Sequence, residues 1–232
     1  APDPTESEAC IIYLHGNASS QLEGRFLVPL LIPLGISVFL FDFAGCGLSE
    51  GDIVTMGKNE SDDVVDIIDF LETNYSIHKI FLWGRSMGAA TAIFTIAKRQ
   101  DSAGIVVDSP YAKIINAVLS IAKEHHASIF LTKDFEDRLK VHSINKLGFD
   151  ITKMNPLSVM NECYTPAFFI HAKNDTTIPI DDSRILFDKY PSHVKQFAEI
   201  KGDHYSERPS YIIKEGIIFL CRLIGLTIRF PS

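Results

Sequence analysis

Signals for disulfides, zinc sites and nucleic-acid binding are scarce in this sequence. Its four cysteines show no Cys-x-x-Cys spacing, and three of them lie in or beside apolar runs. We therefore expect buried free thiols rather than disulfides or a zinc site. No basic cluster is longer than Lys98-Arg99, and 29 acidic residues outnumber 22 basic ones, for a net charge of −7. A nucleic-acid binder would carry a basic surface, so nucleic acid is not expected as a partner.

Long apolar runs and a targeting segment are also missing. No run reaches the ~18 apolar residues of a membrane-spanning helix, and residues 1–6 are neither basic nor hydrophobic. The sequence thus predicts no integral membrane segment, and it leaves peripheral membrane contact and the oligomeric state open. Free thiols indicate a reducing compartment, so we expect a cytoplasmic protein.

The chain does contain a regular alternation of short apolar runs and helical stretches. With 232 residues and 46% apolar content, it is long enough for one domain, residues 1–232, with a two-faced core. Strands that alternate with helices form βαβ units, which predicts a mostly parallel sheet with helices on both faces. The predicted strands are 10–14, 36–41, 79–83, 104–110, 167–171 and 196–200; the predicted helices are 21–34, broken by Pro29 and Pro33, then 59–74, 89–98 and 211–223.

The interval 111–165 breaks this alternation, because it is too long for one crossover helix. It holds helix-like pieces at 111–127 and 133–141. An insertion near the carboxyl ends of the strands, where ligands bind in open α/β sheets, predicts a helical lid. Extra scaffold helices are the alternative. The lid residues predicted to line an apolar acyl pocket are Ile129, Phe130 and Leu131.

A sharp turn joins a strand to a helix at residues 84–88, because the strand-like run 79–83 meets the helical run 89–98 with no loop between them. Gly-x-Ser-x-Gly at such a bend is typical of a nucleophile elbow, in which the hydroxyl of Ser86 projects above the sheet. The two glycines let strand and helix approach closely. The helix N-terminus then faces the space where an oxyanion would form, with the Met87 N–H as one donor.

A base and an acid for this serine lie further along the chain. A serine nucleophile needs a base, and the base needs an orienting acid. In this architecture the acid and then the histidine follow the serine, each just past the carboxyl end of a late strand. Asp175 follows the fifth predicted strand and His204 the sixth, so Ser86, Asp175 and His204 form the predicted triad. Two other acids are rivals to Asp175. Asp203 is next to His204 in sequence, which points its side chain away from the ring, and Asp108 lies near the end of the preceding predicted strand, 104–110.

The turn after the first strand, His15-Gly16-Asn17, supplies the remaining part of the predicted site. The backbone N–H of Asn17, with that of Met87, can form a two-donor oxyanion hole. His15 is expected to brace the loop by hydrogen bonding. The predicted chemistry requires neither a metal nor a cofactor.

With these motifs, the loop 42–51 and Gly202-Asp203-His204, the chain resembles the α/β-hydrolase fold serine hydrolases over essentially its whole length. It is similar to the group known as serine aminopeptidase-like or monoacylglycerol-lipase-like hydrolases, and within it to a little-characterised plant and protist branch. The site residues that this resemblance implies are Ser86, Asp175 and His204 as the triad, with Asn17 and Met87 as oxyanion donors.

Two departures from that family bear on the fold. Many relatives carry arginine where this chain has Ala44, so the loop 42–51 is expected to be braced differently. The family usually has an antiparallel hairpin before the strand that ends in His-Gly, and only nine residues precede Cys10 here. We expect the hairpin to be absent or trimmed, which would leave strand 36–41 on a sheet edge.

The leading interpretation is a serine hydrolase that cleaves a carboxylic ester or thioester of a small acylated molecule through an acyl-enzyme intermediate. A serine aminopeptidase or amidase comes second, because no acidic cluster is obviously placed to hold a substrate amine. A non-catalytic binding module on a hydrolase-like scaffold is a third interpretation, and an intact triad weighs against it. A dinucleotide-binding protein would need Gly-x-Gly-x-x-Gly after the first strand, and residues 15–20 lack that pattern.

Overall fold

The structure of the protein is a computed structural model that describes residues 8–124 and 133–230. Its strands, in chain order, are β1 (Ala9–Leu14), β2 (Ser37–Leu40), β3 (Lys79–Arg85), β4 (Gly104–Asp108), β5 (Ala167–Ala172) and β6 (Lys195–Ile200). They form one sheet in the order β2-β1-β3-β4-β5-β6, in which every neighbouring pair is parallel. β-Branched and aromatic residues suit strands that are buried on both faces. The parallel sheet predicted from the apolar runs is thereby confirmed.

Helices connect the strands. The α-helices are α1 (Val28–Leu31), α2 (Lys58–Tyr75), α3 (Met87–Lys98), α4 (Ile114–Glu124), α5 (Lys133–Leu147), α6 (Ile180–Lys189) and α7 (Ser210–Leu223), and 3₁₀ helices cover Gln21–Leu27, Ile32–Leu34, Ile151–Lys153 and Pro156–Glu162. The segment 21–34 is broken as predicted, because Pro29 and Pro33 each lie in the first turn of a new helical piece. The sequence did not predict α6. Among the described helices, none is both long and apolar enough to cross a membrane.

The sheet separates two apolar layers. Successive side chains of a strand point to opposite faces. Ile12 and Leu82 therefore pack in the layer that contains α2 and α3, whereas Ile11 and Phe81 pack in the layer that contains the 21–34 segment and α7. Burying a side chain of this size contributes roughly 1.5–3 kcal/mol. Both layers hold the sheet firmly, so the loops at its carboxyl edge start from fixed positions.

The position of β2 agrees with the expectation that strand 36–41 lies on a sheet edge. β2 pairs only with β1 among the described strands, and it lies at the end of the sheet. It spans Ser37–Leu40, two residues fewer than predicted.

The interval 111–165 contributes α4, α5 and two of the 3₁₀ helices between β4 and β5. Tyr111, Ile114 and Met154 are buried in one cluster with Ala90 of α3 and with Ile178. Part of this interval therefore packs as scaffold on the helix that begins at the elbow. That it also acts as a lid stays a prediction.

Candidate active site

The predicted elbow is present, and its backbone is strained. Ser86 joins β3 to α3 with φ 53° and ψ −115°, a conformation that side-chain-bearing residues rarely adopt. Its N–H donates to the Asp108 carbonyl oxygen at 2.8 Å. A Cβ atom at Gly84 would lie 2.2 Å from the carbonyl oxygen of Gly88, and one at Gly88 would lie 1.9 Å from that of Leu14. Only glycine fits at either position, so the Gly-x-Ser-x-Gly spacing is a packing requirement.

The three residues predicted as the triad lie in one hydrogen-bonded row. His204 Nε2 is 3.1 Å from Ser86 Oγ, and His204 Nδ1 is 2.7 Å from Asp175 Oδ2. A carboxylate only accepts, so Nδ1 carries the proton and the neutral ring leaves Nε2 as an acceptor for the serine hydroxyl. This is the tautomer that a general base needs.

The carboxylate of Asp175 is fully buried and has partners on both oxygens. Its Oδ1 accepts from the Ile178 N–H at 2.7 Å, and His171 Nε2 lies 3.4 Å from Oδ2. Burial would raise the pKa of Asp175, but hydrogen bonds from His171, His204 and the Ile178 N–H outweigh that effect and hold the pKa below its ordinary value. Asp175 therefore stays ionised beside the imidazole.

His171 is a part of this environment that the sequence interpretation missed. It is completely buried at the end of β5, where Nδ1 accepts from Ser183 Oγ at 2.6 Å and Nε2 donates to the Ile178 carbonyl oxygen at 2.9 Å. It thus ties α6 and the turn before it to β5, the strand that precedes Asp175. The signal for it was its position four residues before Asp175.

The two rival acids are engaged elsewhere. Asp203 Oδ1 accepts from the N–H groups of Tyr205 and Ser206, at 3.0 and 2.8 Å, which caps its own loop. Asp108 accepts two hydrogen bonds from Arg208, at 2.7 and 3.0 Å. Neither carboxylate is among the hydrogen-bond partners of His204 in the described part of the chain.

The turn after β1 lies against the elbow. A Cβ atom at Gly16 would be 3.7 Å from Ser86 Cβ. His15 braces the turn as predicted, because its Nε2 accepts from the Phe43 N–H at 3.1 Å and its Nδ1 donates to the Gly16 carbonyl oxygen at 2.8 Å. Glu23 adds a brace that the sequence did not indicate, since its carboxylate accepts from the Gly16 N–H at 2.9 Å. The next residue, Asn17, therefore starts from a fixed position close to Ser86.

Met87 is the first residue of α3 and is completely buried. The first N–H groups of a helix have no acceptor within the helix and carry partial positive charge. The Met87 N–H is placed next to Ser86 by chain connectivity. Its use as an oxyanion donor, with the N–H of Asn17, remains a prediction.

The loop 42–51 is braced by its own aspartate rather than by an arginine. The Asp42 carboxylate accepts from the Gln21 N–H at 2.6 Å and from the Leu48 N–H at 3.0 Å, and these bonds lower its pKa. Gly47 has φ 55°, and a Cβ atom there would lie 2.3 Å from the same carboxyl group. These contacts brace the loop, and the expectation that this bracing differs from that of relatives with an arginine at the position of Ala44 stays a prediction.

The predicted acyl-pocket residues Ile129, Phe130 and Leu131 lie outside the described residues. Within 8–124 and 133–230, no group of three or more histidine, cysteine, aspartate or glutamate side chains is arranged to hold a metal ion.

Comparison with known proteins places the chain among hydrolases. Residues 5–155, more than half of the chain, match the family described as serine aminopeptidase, S33. The uncharacterized protein YqkD of Bacillus subtilis is 26% identical over 209 residues, covering 87% of this chain and 66% of that protein. Lysophosphatidylserine lipase ABHD12 of Danio rerio is 27% identical over 192 residues, covering 78% of this chain and 47% of the lipase. The chain thus spans about half to two thirds of these relatives.

Solved structures agree on the fold. The esterase Pf2001 of Pyrococcus furiosus superposes with a TM-score of 0.75 at 24% identity, covering 95% of this chain and 85% of the esterase. The chain therefore has the α/β-hydrolase fold and belongs to the serine aminopeptidase, S33 family of hydrolases.

Proposed function

We propose that the protein is a serine hydrolase that cleaves carboxylic esters or thioesters through an acyl-enzyme intermediate. The observation that carries this proposal is the hydrogen-bonded row from Ser86 Oγ through His204 to Asp175, with distances of 3.1 and 2.7 Å. A nucleophile, a base and an orienting acid in this arrangement are the parts that acyl transfer requires.

In the proposed acylation step, Ser86 Oγ attacks the carbonyl carbon of the substrate while His204 Nε2 takes the hydroxyl proton. Asp175 stabilises the imidazolium that forms. The N–H groups of Asn17 and Met87 would hold the oxyanion, and losing one such donor typically costs ~2.7–4 kcal/mol of transition-state stabilisation. His204 then returns the proton to the leaving alkoxide or thiolate. In the second half, water repeats these steps on the acyl-enzyme and releases the acid.

Esters and thioesters are preferred to amides in this proposal. A lipase is among the curated relatives, and an esterase and a monoacylglycerol lipase are among the structural neighbours. The family is that of serine aminopeptidase, S33, which keeps amide cleavage as the second candidate.

An acyl-chain-bearing small molecule is the proposed substrate class. On α4, Ile115 and Leu119 are only half-buried and Ile121 is 41% exposed, so this helix keeps apolar surface beyond what its packing on α3 uses. We propose that these groups, with Ile129, Phe130 and Leu131, cover the site as a lid and bind the acyl chain. A reducing, cytoplasmic location belongs to the same proposal and is supported by four buried free cysteines.

The test is a substrate panel. p-Nitrophenyl esters from acetate to decanoate, matching acyl thioesters and aminoacyl p-nitroanilides are compared for the wild type and for Ser86→Ala. We expect ester and thioester turnover that rises with chain length and disappears in Ser86→Ala. The triple alanine variant of residues 129–131 should flatten the length profile without changing acetate hydrolysis. Faster anilide than ester cleavage, or full activity in Ser86→Ala, would reject the proposal.

A further inference from the structure

The loop that carries His204 is held by Arg85, the residue just before the proposed nucleophile. Arg85 Nη2 donates to the carbonyl oxygen of His204 at 2.7 Å and to that of Ser206 at 3.2 Å. Its side chain is 20% exposed, and its Nε lies 3.9 Å from Glu23 Oε1. The guanidinium therefore connects the nucleophile strand directly to the backbone of the base.

A second arginine, Arg208, also holds this loop. Arg208 Nη1 donates to the carbonyl oxygens of Asp203 and Ser206, at 3.0 and 2.9 Å. Its Nε and Nη2 bind both carboxylate oxygens of Asp108, at 2.7 and 3.0 Å, and both side chains are less than a tenth exposed. A bidentate ion pair of this kind fixes orientation as well as distance. Through it, Arg208 connects the His204 loop to the end of β4.

The two guanidinium groups together take up three carbonyl oxygens of one short loop, those of Asp203, His204 and Ser206. Backbone at a turn has no strand ladder to fix it, so these contacts, together with the hydrogen bonds of Asp203 within the loop, help to fix where the imidazole lies. Neither arginine donates to Asp175, which leaves the acid of the triad to His204.

We propose that Arg85 and Arg208 are positioning residues that hold His204 Nε2 within reach of Ser86 Oγ. We call the pair the arginine clamp. It rests on the proposed function, since it presupposes that His204 is the base. A displacement of about 1 Å in a reacting group can lower a rate by about 10²-fold. The clamp therefore acts on the chemical step and leaves substrate binding alone.

The clamp can be reached by small molecules. Both arginines line a cleft of about 500 Å³, whose other walls include Tyr13, Phe26 and Trp83. This cleft lies on the sheet face opposite α3, because Tyr13 and Trp83 belong to the apolar layer of α7. A guanidinium ion is small enough to enter it, which permits chemical rescue of a truncated arginine.

The experiment compares Arg85→Ala, Arg85→Lys and Arg208→Lys with the wild type. The matched control is Arg184→Ala, which removes an exposed arginine whose ion pairs are with Asp181 and Glu199 on the surface. We measure kcat and KM for an ester and the rate of labelling by a fluorophosphonate. We expect Arg85→Ala to lower kcat and the labelling rate by about 10²-fold with KM within about twofold of the wild type. The kcat and labelling rate of the two lysine variants should lie between those of the wild type and of Arg85→Ala. Lysine keeps the positive charge but cannot make the several hydrogen bonds of a guanidinium group.

Methylguanidine at millimolar concentration should raise the kcat of Arg85→Ala at least tenfold. It should not raise the kcat of Ser86→Ala. If Arg85→Ala does not fold, Arg85→Lys and Arg208→Lys carry the test. A wild type that reacts with neither ester nor probe overturns the proposed function and the clamp together. A reactive wild type with unchanged kcat in the folded arginine variants overturns the clamp alone. A loss of folded protein with normal kcat per folded molecule, and no rescue, would assign the arginines to stability only.

Discussion

Asp108 and Arg208 face each other across 100 residues of sequence in a buried bidentate pair, with Oδ2 to Nε at 2.7 Å and Oδ1 to Nη2 at 3.0 Å. Both carboxylate oxygens of Asp108 are thereby used. Asp175, in contrast, presents Oδ2 to His204 Nδ1. Asp108 ends β4 and Asp175 follows the neighbouring strand β5, yet one pairs with an arginine and the other with the histidine.

The rates of two asparagine variants should separate these roles. We expect Asp175→Asn to lower kcat by about 10⁴-fold, because the amide favours the wrong tautomer of His204. Asp108→Asn should lower it by about 10²-fold, through the arginine clamp only. Stopped-flow or steady-state ester hydrolysis, corrected for the folded fraction, measures both. A larger kinetic loss in Asp108→Asn would mean that the acid has been placed on the wrong strand.

The free energy of unfolding should fall more in Asp108→Asn than in Asp175→Asn, the reverse of the order expected for kcat. Asp108→Asn leaves the buried Arg208 guanidinium without its counter-charge, which typically costs about 3–5 kcal/mol of unfolding free energy. Urea denaturation followed by tryptophan fluorescence reports the loss.

The elbow glycines should be intolerant of a single methyl group. Gly88→Ala would place Cβ 1.9 Å from the Leu14 carbonyl oxygen, and we expect the free energy of unfolding to fall by about 3 kcal/mol or more. Gly225→Ala is the control, because its Cβ would meet no atom within 4 Å and only its φ of 78° is unfavourable. The control should cost about 1–2 kcal/mol. Equal losses in the two variants would show that the close approach of strand and helix is not rigid.

The sheet, and the hydrogen-bonded row of Ser86, His204 and Asp175, could be predicted because each depends on short-range pattern. Ser86 lies in a five-residue motif, and Asp175 and His204 follow apolar runs whose strand character is visible in the sequence. Topology then brings the ends of parallel strands to one edge. The helix α6 was missed because charged residues interrupt its apolar face.

The arginine clamp could not be predicted in the same way. Arg85 reaches the His204 carbonyl oxygen over 119 residues of sequence. A carbonyl acceptor belongs to every residue, so no side-chain pattern marks the partner. The contact depends on where the loop lies in three dimensions, which sequence spacing does not give.

Acid should weaken the protein partly through Asp175. Its pKa in the folded state is depressed, so its contribution to stability is complete above the unfolded carboxyl pKa of about 3.9 and is lost as the pH falls through the folded value. The wild type should lose unfolding free energy below about pH 4, and the difference from Asp175→Asn should shrink over the same range. Denaturation series at several pH values measure this difference. A difference that grows on acidification would contradict a lowered pKa of Asp175 in the folded state.

The four cysteine thiols should be inert in the folded protein. All four are buried and free, and burial raises the pKa of Cys10 and of Cys163 to about 12 and that of Cys221 to about 11. We expect Ellman's reagent at pH 8 to react slowly with the native protein and to titrate all four thiols after denaturation. Cys46, the most exposed at 8%, should react first, and Cys46→Ser should remove that phase. A fast native reaction that persists in Cys46→Ser would contradict the buried placement.

The most direct measurement of the proposed mechanism is mass spectrometry of the protein after treatment with a fluorophosphonate. The reagent reacts with a serine only where a base activates the hydroxyl, so we predict one adduct, on the peptide that contains Ser86, and none in Ser86→Ala. His204→Ala should lower the rate at which this adduct forms by about the same factor as it lowers kcat for ester hydrolysis. An adduct on another residue, or a wild type that hydrolyses esters without labelling at Ser86, would contradict the assignment of Ser86 as the nucleophile.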